Sequence, residues 1–108
     1  MKISEICSLV GASFLGEDVL INGLNLCNRP TRYSSILGYT TSSKFFDAII
    51  ANKAVKALVI SRELYDEFTL YARTEKRSYS FIISDSPEFL FYDIHNALWA
   101  KTDFYDRY

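Results

Sequence analysis

Ala57-Leu58-Val59-Ile60 is an apolar run with no alternation of polar residues. A strand with one face in water alternates, whereas a strand covered on both faces does not. The run therefore reads as an inner strand with other elements on either side. The segments next to it fit that reading. Before it, Ser42 or Ser43 caps a helix over 44–52, with Phe45, Phe46, Ile49 and Ile50 as its apolar stripe. After it, 63–71 reads as a second, weakly patterned helix. Strands separated by helices indicate an α/β domain.

Working outward, Ser35 to Thr41 centres on Ile36-Leu37 and reads as a strand ending near Tyr39. Tyr79 to Ile83 is another strand. Ser86-Pro87-Glu88 opens the last helix with a cap, a first-turn proline and an early acid. Leu90, Ile94, Ala97 and Leu98 form its stripe. At the other end, Ile3, Ile6, Cys7 and Val10 mark one face of a helix, with Ser4 as its cap and Gly11 as the left-handed residue beyond it. Two short strands follow, over 13–16 and 19–24, the second running on through Leu26, with Glu17-Asp18 as the turn between them. Residues 28–35 are polar, contain Pro30 and read as a loop. There is no internal repeat and no linker. The expected architecture is one small α/β domain, a mixed sheet flanked by helices.

Composition sets the outer limits. The chain has 108 residues, 49% of them apolar and 23% charged, which argues against a disordered chain. A chain of this size buries roughly 65% of its unfolded surface, enough for one core. Twelve Lys+Arg against 13 Asp+Glu leave a net charge of -1 and exclude an overall basic nucleic-acid binder. No apolar run approaches the ~20 residues of a membrane helix. Glu5 precedes any long apolar run, so the start does not read as a signal peptide. A cytoplasmic protein is expected. Cys7 and Cys27 then read as reduced thiols, Cys7 in the core. With no Cys-x-x-Cys and no pair of histidines, no metal ligand set is evident, and no cofactor is expected.

Most catalytic chemistry fails on inventory. The four glycines are too widely spaced for a phosphate-cradling loop, and no Gly-Lys-Ser/Thr occurs. His95 is the single histidine, and no carboxylate or nucleophile is placed by sequence to partner it. Asp103 and Asp106 read as solvated tail residues, and Arg73, Lys76 and Arg77 as a basic turn. No catalytic residue is expected. The junction Tyr39-Thr40-Thr41-Ser42-Ser43-Lys44-Phe45 is more informative. A strand end followed by a helix start brings two rings near each other while hydroxyls and helix amides stay available. That arrangement can clamp a flat ring by its faces and read its edge, and each base–aromatic stack is worth ~1–3 kcal/mol. The same spacing is also met by a Phe45 that simply packs in the core.

The order of these pieces resembles the N-terminal domain of the UDP-3-O-acylglucosamine N-acyltransferases of lipid A biosynthesis, which is similar in turn to the uridine-nucleotide-binding N-terminal domain of Mur ligases. The residues that carry the resemblance are the opening helix to Gly11, then 16–24, then Ser35-Ile36-Leu37-Gly38-Tyr39, Lys44-Phe45, Ala57-Leu58-Val59-Ile60, and Ile82-Ile83-Ser84-Asp85-Ser86-Pro87. In that family two aromatics hold the uracil of a UDP-sugar in a pattern aromatic-x-x-Asn-x-x-aromatic. The resemblance places the aromatics on Tyr39 and Phe45 and the asparagine position on Ser42. A serine hydroxyl cannot copy the paired donor and acceptor of an amide. The family's acyl transfer takes place in a following left-handed β-helix of hexapeptide repeats, with its own histidine and an acyl carrier protein as donor. No such repeat occurs in this sequence, and His95 does not match that histidine. The 29–33 segment departs from the family's acidic, glycine-containing stretch.

The resemblance thus implies a nucleotide-sugar-binding domain over 1–100 and a tail over 101–108 leading toward a repeat domain. It implies part of a bacterial sugar N- or O-acyltransferase of lipid A or surface-polysaccharide synthesis, inactive in transfer by itself. The alternative is an interaction module that kept the fold and lost the ligand. Since the family's repeats carry its trimer, this chain is expected to sediment as a monomer at micromolar concentration, with weak contacts through 99–108 at high concentration. A stable trimer at micromolar concentration contradicts that expectation.

Overall fold

The computed structural model describes residues 1–25, 33–75 and 78–98. Its elements are α1 (Ile3–Val10), β1 (Phe14–Leu15), β2 (Gly23–Leu24), β3 (Ile36–Tyr39), a 3-10 turn (Ser43–Phe45), α2 (Phe46–Ala51), β4 (Val55–Ile60), α3 (Arg62–Tyr71), β5 (Ser80–Ile83) and α4 (Pro87–Leu98). One five-stranded sheet runs in the order β1-β5-β4-β3-β2. β2, β3, β4 and β5 are mutually parallel and β1 is antiparallel to β5. The domain is α/β with a mixed sheet, as its strand and helix patterning implies.

β4 explains the layering. Ala57, Leu58, Val59 and Ile60 are all fully buried. Ala57 and Val59 join Leu37 and Ile82 against Ile3, Ile6 and Cys7 of α1 and Phe91, Ile94 and Leu98 of α4. Leu58 and Ile60 join Ile36 and Phe81 against Phe46 and Ile49 of α2 and Phe68 of α3. Successive strand residues point to opposite faces, so a run without alternation fills two cores at once. The register pairs Val55 with Ile36 but Ala57 with Leu37, and Lys56 is the extra residue. This bulge reverses the parity of Val55 and puts it in the second core beside Leu58. Emptying a site of this kind, as in Leu58→Ala, costs about 2–5 kcal/mol.

Two local expectations are corrected. Ser4 does not cap α1. Lys2 holds the cap position, and its N–H donates to the Glu5 carboxylate at 3.0 Å. Ser4 lies inside the first turn, where its N–H and hydroxyl donate to the two carboxylate oxygens of Asp18 at 2.8 and 2.7 Å. These two bonds, then the charge of Lys2, hold the Asp18 carboxyl below its ordinary 3.8. The second correction concerns 19–24. Gly23–Leu24 alone joins the sheet, while Val19 to Ile21 pair with the chain start through Ile3 N–H to Val19 C=O and Ile21 N–H to Met1 C=O. That pairing turns Ile21 into the core and leaves Leu20 65% exposed. Leu26 lies outside the described residues.

Two glycines have positive φ. Gly11 ends α1 at φ 67°, as its position implied, in open space. Gly16 has φ 98°, and a Cβ there would stand 3.0 Å from the Tyr79 carbonyl oxygen and 3.2 Å from Ser80 Cα, both backbone atoms at the start of the neighbouring β5. Gly16→Ala is therefore predicted to cost about 1–3 kcal/mol through backbone strain, with steric crowding in addition. Gly11→Ala meets the left-handed penalty alone, about 1–2 kcal/mol. Urea unfolding of the two variants checks this. A Gly16→Ala protein as stable as Gly11→Ala contradicts the packing of β1 against β5.

Candidate functional site

The carboxyl ends of β3, β4 and β5 all meet one edge of the sheet, because the three strands are parallel. In open α/β sheets this is the edge where ligands lodge. Each strand leaves it through hydroxyl residues. After β3, Thr40 is buried and its hydroxyl donates to the Ser42 carbonyl at 2.9 Å. Ser42 then caps the 3-10 turn by accepting from the Lys44 N–H at 3.3 Å. After β4, the Ser61 hydroxyl accepts from the Leu64 N–H at 3.3 Å and starts α3. After β5, the Ser84 hydroxyl accepts from the Ser86 N–H at 3.1 Å, and the Ser86 carbonyl accepts the first helical bond of α4 from Leu90.

Tyr39 is the last residue of β3 and is half-buried. Its ring packs at 4.7 Å from Phe91 and 6.2 Å from Tyr92, both on α4. Phe91 is buried and Tyr92 is 46% exposed, so α4 backs the Tyr39 ring with one core ring and one surface ring. Phe45 ends the 3-10 turn, is half-buried, and carries the Lys44 ammonium 5.1 Å from its ring centroid. No ring contact joins Tyr39 to Phe45 among the described residues. Tyr39 packs with the α1 and α4 side of the sheet, whereas Phe45 leads into α2, whose Phe46 and Ile49 pack on the other side. Ser42 lies between the two in the chain, with its hydroxyl engaged as an acceptor in the cap. Its O–H can still donate.

Beside this turn is an open cleft of about 330 Å³, lined by Thr41, Ser61, Asp85, Ser86, Glu88 and Phe89 among others. Tyr39, Ser42 and Phe45 do not line it. Sequence reading did not single out Phe91, Tyr92 or the cleft. Tyr92 stands off the apolar stripe of its helix, and only the folded chain brings α4 over the end of β3.

Other candidates are placed as follows. Cys7 is a buried core residue, as expected, and burial first, then the charge of Asp18, pushes its thiol pKa up. His95 is half-buried on α4, its ring 6.3 Å from that of Tyr92. No group of three or more His, Cys, Asp or Glu side chains suited to a metal is found among the described residues. No helix of the described residues is long and apolar enough to cross a membrane. Cys27, Lys76, Arg77, Asp103, Asp106 and the 99–108 tail lie outside the described residues. No protein-family model matches the chain, and no curated protein matches it significantly.

The thiolate is the reactive form of cysteine. Because the Cys7 pKa is raised, the neutral thiol persists to higher pH than in an exposed cysteine. Iodoacetamide at pH 8 is predicted to leave Cys7 unmodified in the native protein and to alkylate it after denaturation, as read by peptide mass mapping. Rapid native alkylation at Cys7 contradicts its placement in the core.

Proposed function

We propose that the chain is a nucleotide-sugar-binding domain of a bacterial sugar acyltransferase, taking a UDP-sugar or related nucleotide in the cytoplasm. The observation that supports this best is the half-buried Tyr39 ring at the carboxyl end of a parallel strand, backed by Phe91 and Tyr92 and followed directly by the hydroxyl-rich turn to Phe45. Backing by Phe91 and Tyr92 fixes the Tyr39 ring in advance, which lowers the entropic cost of stacking a base on it. Phe45 supplies the second face, Ser42 reads the base edge with its O–H, and Lys44 brings a positive charge toward the phosphates. Acyl transfer on this reading belongs to another part of the enzyme, with an acyl carrier protein as its donor.

The cap geometry favours one rival. The Ser42 hydroxyl already serves Lys44, so base reading is weaker here than with an amide side chain. An interaction module that kept the fold and lost the nucleotide accounts for that feature.

Binding separates the two. Millimolar UMP is predicted to shift amide NMR signals of residues 38–46, and Tyr39→Ala to abolish the shifts. Ser42→Asn is predicted to tighten binding by about 1 kcal/mol, one net hydrogen bond. Silence toward both UMP and UDP-N-acetylglucosamine supports the module and removes the nucleotide reading.

A further inference from the structure

β4 and β5 are neighbouring parallel strands that end level with each other, Ile60 opposite Ile83. Their chains then part. From β4 the chain enters α3, whose Phe68 packs in the core on one face of the sheet. From β5 it enters α4, whose Phe91, Ile94 and Leu98 pack on the other face. Diverging connections from adjacent parallel strands open a crevice at their carboxyl ends, and such a point is where open α/β sheets take their ligands. The cleft of about 330 Å³ lies there, with Ser61 and Leu64 on the α3 side and Asp85 through Phe89 on the α4 side.

We propose that this crevice is a binding site for a neutral pyranose. The lining argues for that chemistry. The N-terminal ends of α3 and α4 both open on the crevice, and the acids at the start of α4 offset their partial positive charge. The carboxylates of Asp85 and Glu88 stand at the same place and disfavour an anion. A neutral molecule rich in hydroxyls avoids that repulsion, and it can donate to the carboxylates and exchange hydrogen bonds with Thr41, Ser61 and Ser86. Phe89 is 77% exposed at the rim. A pyranose has one apolar C–H face that can lie on such a ring while its hydroxyls turn to the polar wall. A few placed polar groups against an apolar surface is the usual make-up of a small-molecule site. Tyr39, Ser42 and Phe45, which would hold a nucleotide, do not line the crevice, so this inference stands apart from the nucleotide reading.

The test is NMR titration of the whole chain with methyl β-D-glucopyranoside, in parallel with inorganic phosphate and with UMP. The glycoside is expected to shift amides of residues 61–64 and 85–90 with saturation at millimolar concentration, and phosphate to leave them unmoved. Phe89→Ala is expected to weaken the glycoside about tenfold, the loss of one stacking contact. Because Phe89 is exposed, the variant keeps its core. Asp85→Asn is expected to weaken the glycoside several-fold and to leave UMP shifts at 38–46 unchanged. Shifts by phosphate in place of the glycoside, no shift by either, or unaltered glycoside binding by Phe89→Ala would each overturn the proposal. A response to the glycoside without one to UMP upholds it while removing the nucleotide reading.

Discussion

The structure depends on one strand having no face in water. Ala57, Leu58, Val59 and Ile60 are each sealed from solvent, two on each side of the sheet. Such a strand is stable only if both faces are covered, and this forces the order of everything else. α1 and α4 must share one face and α2 and α3 the other. The strands on either side of β4 must be parallel to it, because their connections are spent on those helices. The bulge at Lys56 completes the arrangement. It lets a half-exposed lysine sit within the strand while Val55 returns to the core.

The same constraint sets where chemistry can occur. Three parallel strands deliver their carboxyl ends to one edge, and each must turn into a helix or a 3-10 turn there. Backbone groups at such turns need partners. Thr40, Ser42, Ser61 and Ser84 provide them with hydroxyls. An edge built this way gathers hydroxyl side chains that satisfy the fold at the place where open α/β sheets take their ligands. Tyr39 extends the edge with a ring that belongs partly to the core and partly to the surface. Its backing by Phe91 links the packing of α4 to the orientation of the proposed base-binding ring.

Local patterns in the sequence are strong where one physical demand dominates. Unbroken apolarity marked β4, and the four-residue stripe with Gly11 marked α1 and its C-terminal end. The pattern fails where two demands compete. Val19 to Ile21 form a short apolar run as a strand does, but such a run does not say which edge it joins, and these residues pair with the chain start instead of the sheet. Ser4 looked like a cap because it is a serine before an apolar stripe, yet Asp18, distant in sequence, claims both its donors. For the candidate site, the strand-to-turn junction from Tyr39 to Phe45 was legible from local spacing. The rings that back Tyr39 were not, because α4 meets β3 only through the tertiary fold. The crevice between β4 and β5 was invisible for the same reason. It arises from two connections leaving on opposite faces, a property of topology that no short motif carries.

We propose that the carboxyl-end edge of the parallel strands holds the ligand, with Tyr39 as its aromatic floor. Intermolecular nuclear Overhauser effects from the H5 and H6 protons of bound UMP test it most directly. Contacts to the ring protons of Tyr39 and Phe45 are expected. Contacts confined to the opposite edge, at residues 33–35 or 53–55 before β3 and β4, would contradict it.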